Sequence, residues 1–234
     1  MIPGRVLVIV PAMNEEESLP VTLDELRRKA PGVAVLVVDD GSRDATTDVA
    51  RARGVPVVRH AVNLGVGAAL QTGFRWALAH GFDVAVQLDA DGQHDPAFLD
   101  ALVEPVLAGR CDVSIGSRFV SRSAYRAPAA RRFGMVLFSA VVRLTAGVRI
   151  TDTTSGFRAY DRAVMEVGQH DFPKDFPDAP LLIDLARRGF RLCEVAVEMR
   201  PREAGRSFYT LGKSLYYPYK NLLASLMVLV KRAG

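Results

Sequence analysis

"VAVQLDADGQHDP", residues 84–96, is the stretch on which the reading of this chain turns. Val84 to Leu88 form a β-prone, largely apolar run of strand length, which stops abruptly at Asp89, Asp91, Gln93, His94 and Asp95. Three carboxylates at one strand end repel one another, and each raises the cost of ionising the next. A fold gains nothing from that crowding, so the cluster implies a positive ligand that the sequence itself does not contain.

The same strand pattern recurs upstream and downstream. "RVLVIV" from Arg5, "VAVLVV" from Val33, "VPVVR" from Val55 and "DVSIG" from Asp112 read as strands, with helices expected over Glu16–Ala30, Asp44–Arg53, Gly65–His80 and Pro96–Ala108. Strands alternating with helices predict an α/β, Rossmann-like, doubly wound and mostly parallel sheet with helices on both faces. Ligands of such sheets sit beyond the carboxyl ends of the strands. "NEEE", "DDGS" and "DADGQ" each follow a strand and are therefore expected on one rim.

After Gly116 the alternation fades. The pattern predicts a helix over 130–146, a loop "TDTTSGFRAY" at 151–160, a helix over 179–188, a strand "LCEVAVEM" at 192–199, a loop "RPREAGRS" at 200–207 and a last helix from 211. No repeat or linker divides the chain, so one catalytic-sized domain over 1–210 with a C-terminal amphipathic helix over 211–234 is the simplest division.

With 234 residues and 49% hydrophobic content the chain can bury a substantial core. Thirty Lys and Arg against 26 Asp and Glu leave a net charge of +4, too small to argue for a nucleic-acid partner. Distribution is more telling. Arginines 118, 122, 126, 131, 132, 143 and 149 occupy Gly116 to Arg149 without an acid, whereas Glu15, Glu16, Glu17, Asp39, Asp40 and Asp44 crowd the first fifth. Cys111 and Cys193 have neither framework nor metal spacing, so they are expected to pack as small apolar residues in a reducing, cytoplasmic setting. The N-terminal apolar run is too short for a signal peptide, and no run reaches the ~18 residues of a membrane span. A soluble or peripheral protein is expected.

Four readings of "DADGQHDP" compete. A solvated turn with Asp95 capping a helix at Pro96 explains those two residues but not Asp89 and Asp91. A calcium loop places glycine sixth, where counting from Asp89 finds His94. An aspartyl-phosphatase loop belongs in the first strand and continues with Thr rather than Gln. A divalent-metal site, with Asp89, Asp91 and Gln93 holding Mg²⁺ or Mn²⁺ against a diphosphate, accounts for the oxygen ligands together. The first βα turn, "PAMNEEES", lacks the Gly-x-Gly-x-x-Gly of a dinucleotide site, and its glutamates would repel bare phosphate. They suit neutral parts of a nucleotide. Glu16 and Glu17 are expected at a helix N-terminus, with Glu15 alone pointing inward.

Taken in order, "PAMNEEE", "VVDDGSRDAT", "NLGVGAALQTGF", "DADGQHDP", "IGSRF" and "TSGFRAY" resemble the family 2 glycosyltransferases of GT-A fold, and within them the dolichol-phosphate mannosyltransferase-like group. The resemblance runs over nearly the whole chain. It implies a nucleotide-diphosphate sugar as donor, with Pro11, Met13 and Glu15 lining the nucleotide and Val38 and Asp39 at base or ribose. Asp89, Ala90, Asp91 and Gln93 would form the metal and diphosphate site. Met13 stands where the family commonly has tyrosine, and Val66 where it has lysine or arginine, so GDP-mannose cannot be assumed. "NLGVGAA" reads equally as a packing turn or as a donor contact.

The group's acceptor is a polyprenyl phosphate, already anionic at neutral pH, which needs no general base. By the same resemblance Arg118, Arg131 and Arg202 grip acceptor and donor phosphates, as guanidinium forks do. The implied reaction is a single inversion at the anomeric carbon, with Asp89, Asp91, Arg118 and Arg131 at the reacting centre. One alternative transfers the sugar to a hydroxyl of a glycan or lipid with Asp152 or Asp178 as base. Another is a non-catalytic nucleotide-sugar-binding or scaffold protein. The last helix, with Tyr216, Tyr217, Tyr219 and an apolar face between basic ends, reads either as a membrane-surface helix or as a packed or oligomer-forming one. The oligomeric state stays open.

Overall fold

The structure, a computed structural model, describes residues 5–120, 139–140, 142–144, 147–173, 178–200 and 227. Among the described residues seven strands make one sheet: β1 (Val6–Ala12), β2 (Ala34–Asp39), β3 (Val57–Arg59), β4 (Val84–Gln87), β5 (Val113–Ser117), β6 (Arg158–Asp161) and β7 (Leu192–Ala196). Among the described residues they are accompanied by the helices α1 (Leu19–Lys29), α2 (Thr46–Ala52), α3 (Val66–Ala79), α4 (Leu99–Leu107), α5 (Arg162–Gly168) and α6 (Ala179–Arg187). The strand order is β3-β2-β1-β4-β6-β5-β7.

Strand parity builds two cores. Leu7, Ile9, Leu36, Val38 and Ala85 pack with α3, α5 and α6 on one face, while Val6, Val8, Val10, Val37 and Val86 pack with α1, α2 and α4 on the other. Both faces are covered, which is why these strands read as continuous apolar runs. Helix α1 opens with proline in its first turn and ends on Arg27, Arg28 and Lys29, whose charges favour a helix C-terminus. Helix α3 lies close on β1, because a Cβ on Gly73 would come within 2.6 Å of Ile9.

Two expectations are corrected. The stretch 151–160 is not all loop: Arg158–Asp161 is a strand, antiparallel to both neighbours, inserted between β4 and β5, and α5 follows it. Its sequence "RAYD" lacks β-branched residues, so neighbours on both sides, rather than local preference, make it a strand. Cys111 and Cys193 are not separate packing residues. They form a disulfide with Cα atoms 6.0 Å apart, because the parallel pairing of β5 with β7 brings Cys193 beside Ser114 and the chain just before it.

The helix expected from Pro96 starts as a 3₁₀ turn over Pro96–Phe98, with the Asp95 carboxylate accepting from the Ala97 amide. Of the helix expected over 130–146, the described residues 139–140 and 142–144 are helical. The "RPREAGRS" loop beyond Arg200, and the last helix apart from Met227, lie outside the described residues. Among the described residues no helix is long and apolar enough to cross a membrane.

Candidate active site

The chain order reverses between β1 and β4, which lie side by side and point the same way. Their carboxyl ends open onto a cleft of about 390 Å³ lined by Pro11, Ala12, Met13, Glu15, Asp40, Asn63, Gly65, Val66, Asp89, Ala90 and Asp91. Six residues singled out from sequence thus share one cavity: Pro11, Met13, Glu15, Asp89, Ala90 and Asp91. The three acidic turns do meet on one rim, as strand polarity requires.

The acids on that rim have different tasks. The turn after β1 is stitched to the turn after β2: the Asn14 amide donates to Ser42 Oγ (2.9 Å), the Glu15 amide to Thr46 Oγ1 (2.9 Å), and the Ala45 amide to Glu16 Oε2 (2.9 Å). Glu16 therefore serves the first turn of the neighbouring α2, Glu17 is exposed, and Glu15 faces the cleft, accepting from the Ser18 hydroxyl.

Val38 and Asp39 are fully buried and do not line the cleft. Asp39 accepts from the Ser42 amide (2.8 Å) and the Thr47 hydroxyl, with Arg59 3.6 Å away. Burial opposes its ionisation, but the bonds from Ser42 and Thr47 and the Arg59 charge together hold it below the usual carboxylate range. The acid that reaches the cleft from this turn is Asp40.

In the opening motif the side chain of Asp89 is 39% exposed, against 4% for His94 beside it. His94 Nδ1 accepts from the Asp89 amide (3.2 Å), and its ring stacks on Phe157 with centroids 5.1 Å apart. Gly156 lies beneath: a Cβ there would meet Asp89 Oδ2 at 2.6 Å. Asp91 accepts from the Gln93 amide (3.1 Å). Gln93 is not among the lining residues, and its side-chain amide donates to the Arg200 carbonyl (3.3 Å). Among the described residues no three His, Cys, Asp or Glu side chains gather as a metal cage. Two carboxylates opening on one cleft nevertheless fit a hard divalent cation that takes its other ligands from a bound diphosphate and water.

Behind Asp89 lies a buried charged layer that sequence reasoning only grazed. Arg158 on β6 is 1% exposed and donates to the Thr153 carbonyl (3.0 Å). Asp178, partly buried just before α6, has its pKa pushed up to about 7: loss of solvent is the main cause, Arg158 opposes it, and the charges of Asp89 and Asp152 add to it. Arg118 is gripped by buried Asp152 through Nε and Nη2, both at 2.7 Å, with Thr154 Oγ1 at 2.9 Å. Glu194 on β7 in turn accepts from the Asp152 amide (2.8 Å) and Thr151 Oγ1 (2.9 Å). Arg131 and Arg202 lie outside the described residues.

Asp40, Asn63 and Gly65 line the cleft but were not assigned to it from sequence. The signal was the "NLGVGAA" stretch, whose alternative as a donor contact was left open.

A doubly wound sheet of this kind takes its ligand at the carboxyl ends of the strands, where this cleft opens. Residues 7–168 match the family described as Glycosyl transferase family 2. The chain is 39% identical to the undecaprenyl-phosphate mannosyltransferase of Micrococcus luteus over 87% of this chain and 86% of that one. It is 38% identical to the polyprenol monophosphomannose synthase of Mycolicibacterium smegmatis over 87% of this chain and 80% of that one. In shape it is similar to glucosyl-3-phosphoglycerate synthase from Mycobacterium tuberculosis, solved in complex with Mn²⁺ and uridine-diphosphate-glucose, with a TM-score of 0.71 and 24% identity over 97% of this chain and 79% of that one. This last likeness concerns the fold. The chain belongs to glycosyl transferase family 2: it is a glycosyltransferase with the Rossmann-like GT-A fold, related to polyprenyl-phosphate sugar transferases.

Proposed function

We propose that the protein transfers a sugar, with inversion, from a nucleotide-diphosphate sugar to a polyprenyl phosphate. The observation that carries the donor half is the cleft itself, where Asp89 and Asp91 face Glu15 and Asp40 across the carboxyl ends of β4, β1 and β2. Asp89 and Asp91, with Gln93 beside them, would hold Mg²⁺ or Mn²⁺, which supplies neutralisation of the charge growing on the departing nucleoside diphosphate. Pro11, Met13 and Glu15 flank the nucleoside, with Val38 and Asp39 supporting that wall from within. The Mn²⁺ and uridine-diphosphate-glucose in the solved complex of the structurally similar synthase support a divalent metal and a nucleotide sugar as the ligands in this reading.

The acceptor half rests on the two mannosyltransferase relatives and on Arg118, whose guanidinium is fixed by Asp152. A clamped guanidinium suits a phosphate oxygen. Arg131 and Arg202 complete the phosphate grip in this reading, and the 211–234 segment, apolar and aromatic with basic ends, provides the contact with a cytoplasmic membrane surface.

A second reading has a specific observation behind it. Asp178, with a pKa near 7, suits a general base for a hydroxyl on a phosphate-bearing acceptor. Solved structures of the similar synthase contain phosphoglyceric acid. Asp152 is less suited to that role, since Arg118 engages both its oxygens.

One experiment decides between these readings. The protein is incubated with UDP-, GDP- and dTDP-sugars and Mg²⁺ or Mn²⁺, alone, with a short polyprenyl phosphate, or with 3-phosphoglycerate, and nucleoside diphosphate release is followed. Release stimulated by the polyprenyl phosphate and abolished by EDTA is expected. Stimulation by 3-phosphoglycerate alone would install the second reading, and release indifferent to EDTA would remove the metal.

A further inference from the structure

His60 follows β3 and has no place in the reaction described above, yet it is nearly buried, with 10% of its side chain exposed. Its Nδ1 lies 2.7 Å from Asp40 Oδ1 and its Nε2 lies 2.9 Å from Thr72 Oγ1 on α3. Asp40 is the hub. Oδ1 also accepts from the Leu64 amide (2.9 Å), and Oδ2 accepts from the Gly65 amide (2.8 Å). Thus one carboxylate holds the backbone of the segment that brings Asn63, Gly65 and Val66 to the cleft wall.

The turn after β2 is pressed on the same segment, since a Cβ on Gly41 would meet the Val62 carbonyl carbon at 2.6 Å. With φ of 94°, Gly65 adopts a backbone conformation that side chains disfavour, so its orientation depends on what holds its amide. Asn63 reaches across to Met13 Sδ on the opposite wall. An Asp40 carboxylate that rotates therefore releases one side of the cleft.

We propose that His60 is the positioning residue of the donor cleft. Anchored on α3 through Thr72, it fixes the rotamer of Asp40, and Asp40 holds the 63–66 wall in the shape that receives the nucleoside half of the donor. The donor part of this statement rests on the nucleotide-sugar reading above. The positioning part does not, because it predicts the behaviour of backbone amides in the ligand-free protein.

Two measurements on the full chain test it. Hydrogen exchange of the Leu64 and Gly65 amides is compared in wild type, His60→Ala, His60→Asn and Thr72→Val. The expected result is about tenfold faster exchange at those two amides in His60→Ala with strand β1 and β2 amides unchanged, most of it restored by His60→Asn, whose amide can replace Nδ1. Thr72→Val, which leaves Asp40 its partner, is expected to give a smaller change in the same direction, and it tests the idea if His60→Ala does not fold. In kinetics, His60→Ala is expected to raise the donor KM about tenfold with kcat within about twofold. Unchanged exchange at Leu64 and Gly65, or equal acceleration throughout β1 and β2, overturns the positioning role. Faster exchange with an unaltered donor KM overturns its link to donor binding. Failure of wild type to bind any nucleotide sugar would defeat the functional reading instead, leaving the exchange result to stand by itself.

Discussion

Two acidic turns, Asp39–Asp40 after β2 and Asp89–Asp91 after β4, look alike in sequence and are opposites in space. In the first, Ser42, Thr47 and Arg59 surround Asp39, while His60, Leu64 and Gly65 surround Asp40. Its charges are spent on the fold. In the second, Asp89 is 39% exposed, and both acids open on the cleft. A carboxylate that hydrogen bonds have already satisfied has little left to offer a cation, so the second turn is where a ligand's positive charge is needed. Two aspartates at a strand end mark a rim, and the donors around them decide whether the rim is structure or site.

The largest effect should come from breaking the second turn. Asp91→Ala is expected to lower transfer activity about a thousandfold and to abolish metal-dependent donor binding by calorimetry, with the circular dichroism spectrum intact. The melting temperature of the metal-free variant should equal or exceed that of wild type, since an acid is removed from a repelling group. Full activity would place the metal elsewhere.

Breaking the first turn should do the reverse. Asp39→Ala leaves the buried Ser42 amide and Thr47 hydroxyl without their acceptor, at a cost of about 3 kcal/mol read from urea unfolding. The pH sign follows from its lowered pKa, against an ordinary value of 3.8. Wild type carries this stabilisation in full above about pH 4 and loses it as pH falls through the folded value, so the gap between wild type and variant should close in acid. A gap that persists undiminished there would detach Asp39's contribution from its ionisation.

A smaller effect tests an acid whose pKa is shifted the other way. Asp178 has a folded pKa of about 7 against 3.8, so the folded protein holds a proton that the unfolded chain gives up, and wild-type stability falls as pH rises from about 4 to 7. Asp178→Asn is expected to match wild type at pH 4 and to melt about 3 °C higher at pH 8 in EDTA. Equal melting temperatures at both values would place its titration outside that window. The same variant should retain transfer to a polyprenyl phosphate but lose transfer to a hydroxyl, which connects the stability measurement to the choice of acceptor.

The parallel half of the sheet was legible because each of β1 to β5 is an apolar or β-branched run between helical patterns, and because strand polarity alone puts three acidic turns at one end. The cluster at 89–95 was legible too, since its charge has no local explanation apart from the Asp95 cap. The centre of the sheet was not. Arg158–Asp161 becomes a strand between β4 and β5 only because neighbours on both sides supply its partners, and nothing local in "RAYD" announces a strand whose arginine is buried. The pairing of Cys111 with Cys193 was equally invisible, being a consequence of β5 lying beside β7 across 82 residues of chain.

The sequence by itself thus determined the class of fold and the rim on which the acidic turns gather, because strand period and charge are properties of neighbouring residues. Only the tertiary structure decided which pair of aspartates is held by the fold and which stays open on the cleft. That choice depends on groups contributed from elsewhere along the chain: His60 and the Gly65 amide around Asp40, and the close approach of Gly156 beneath Asp89. No spacing within a turn encodes such partners, since the folding of β3, α3 and β6 against it is what brings them there.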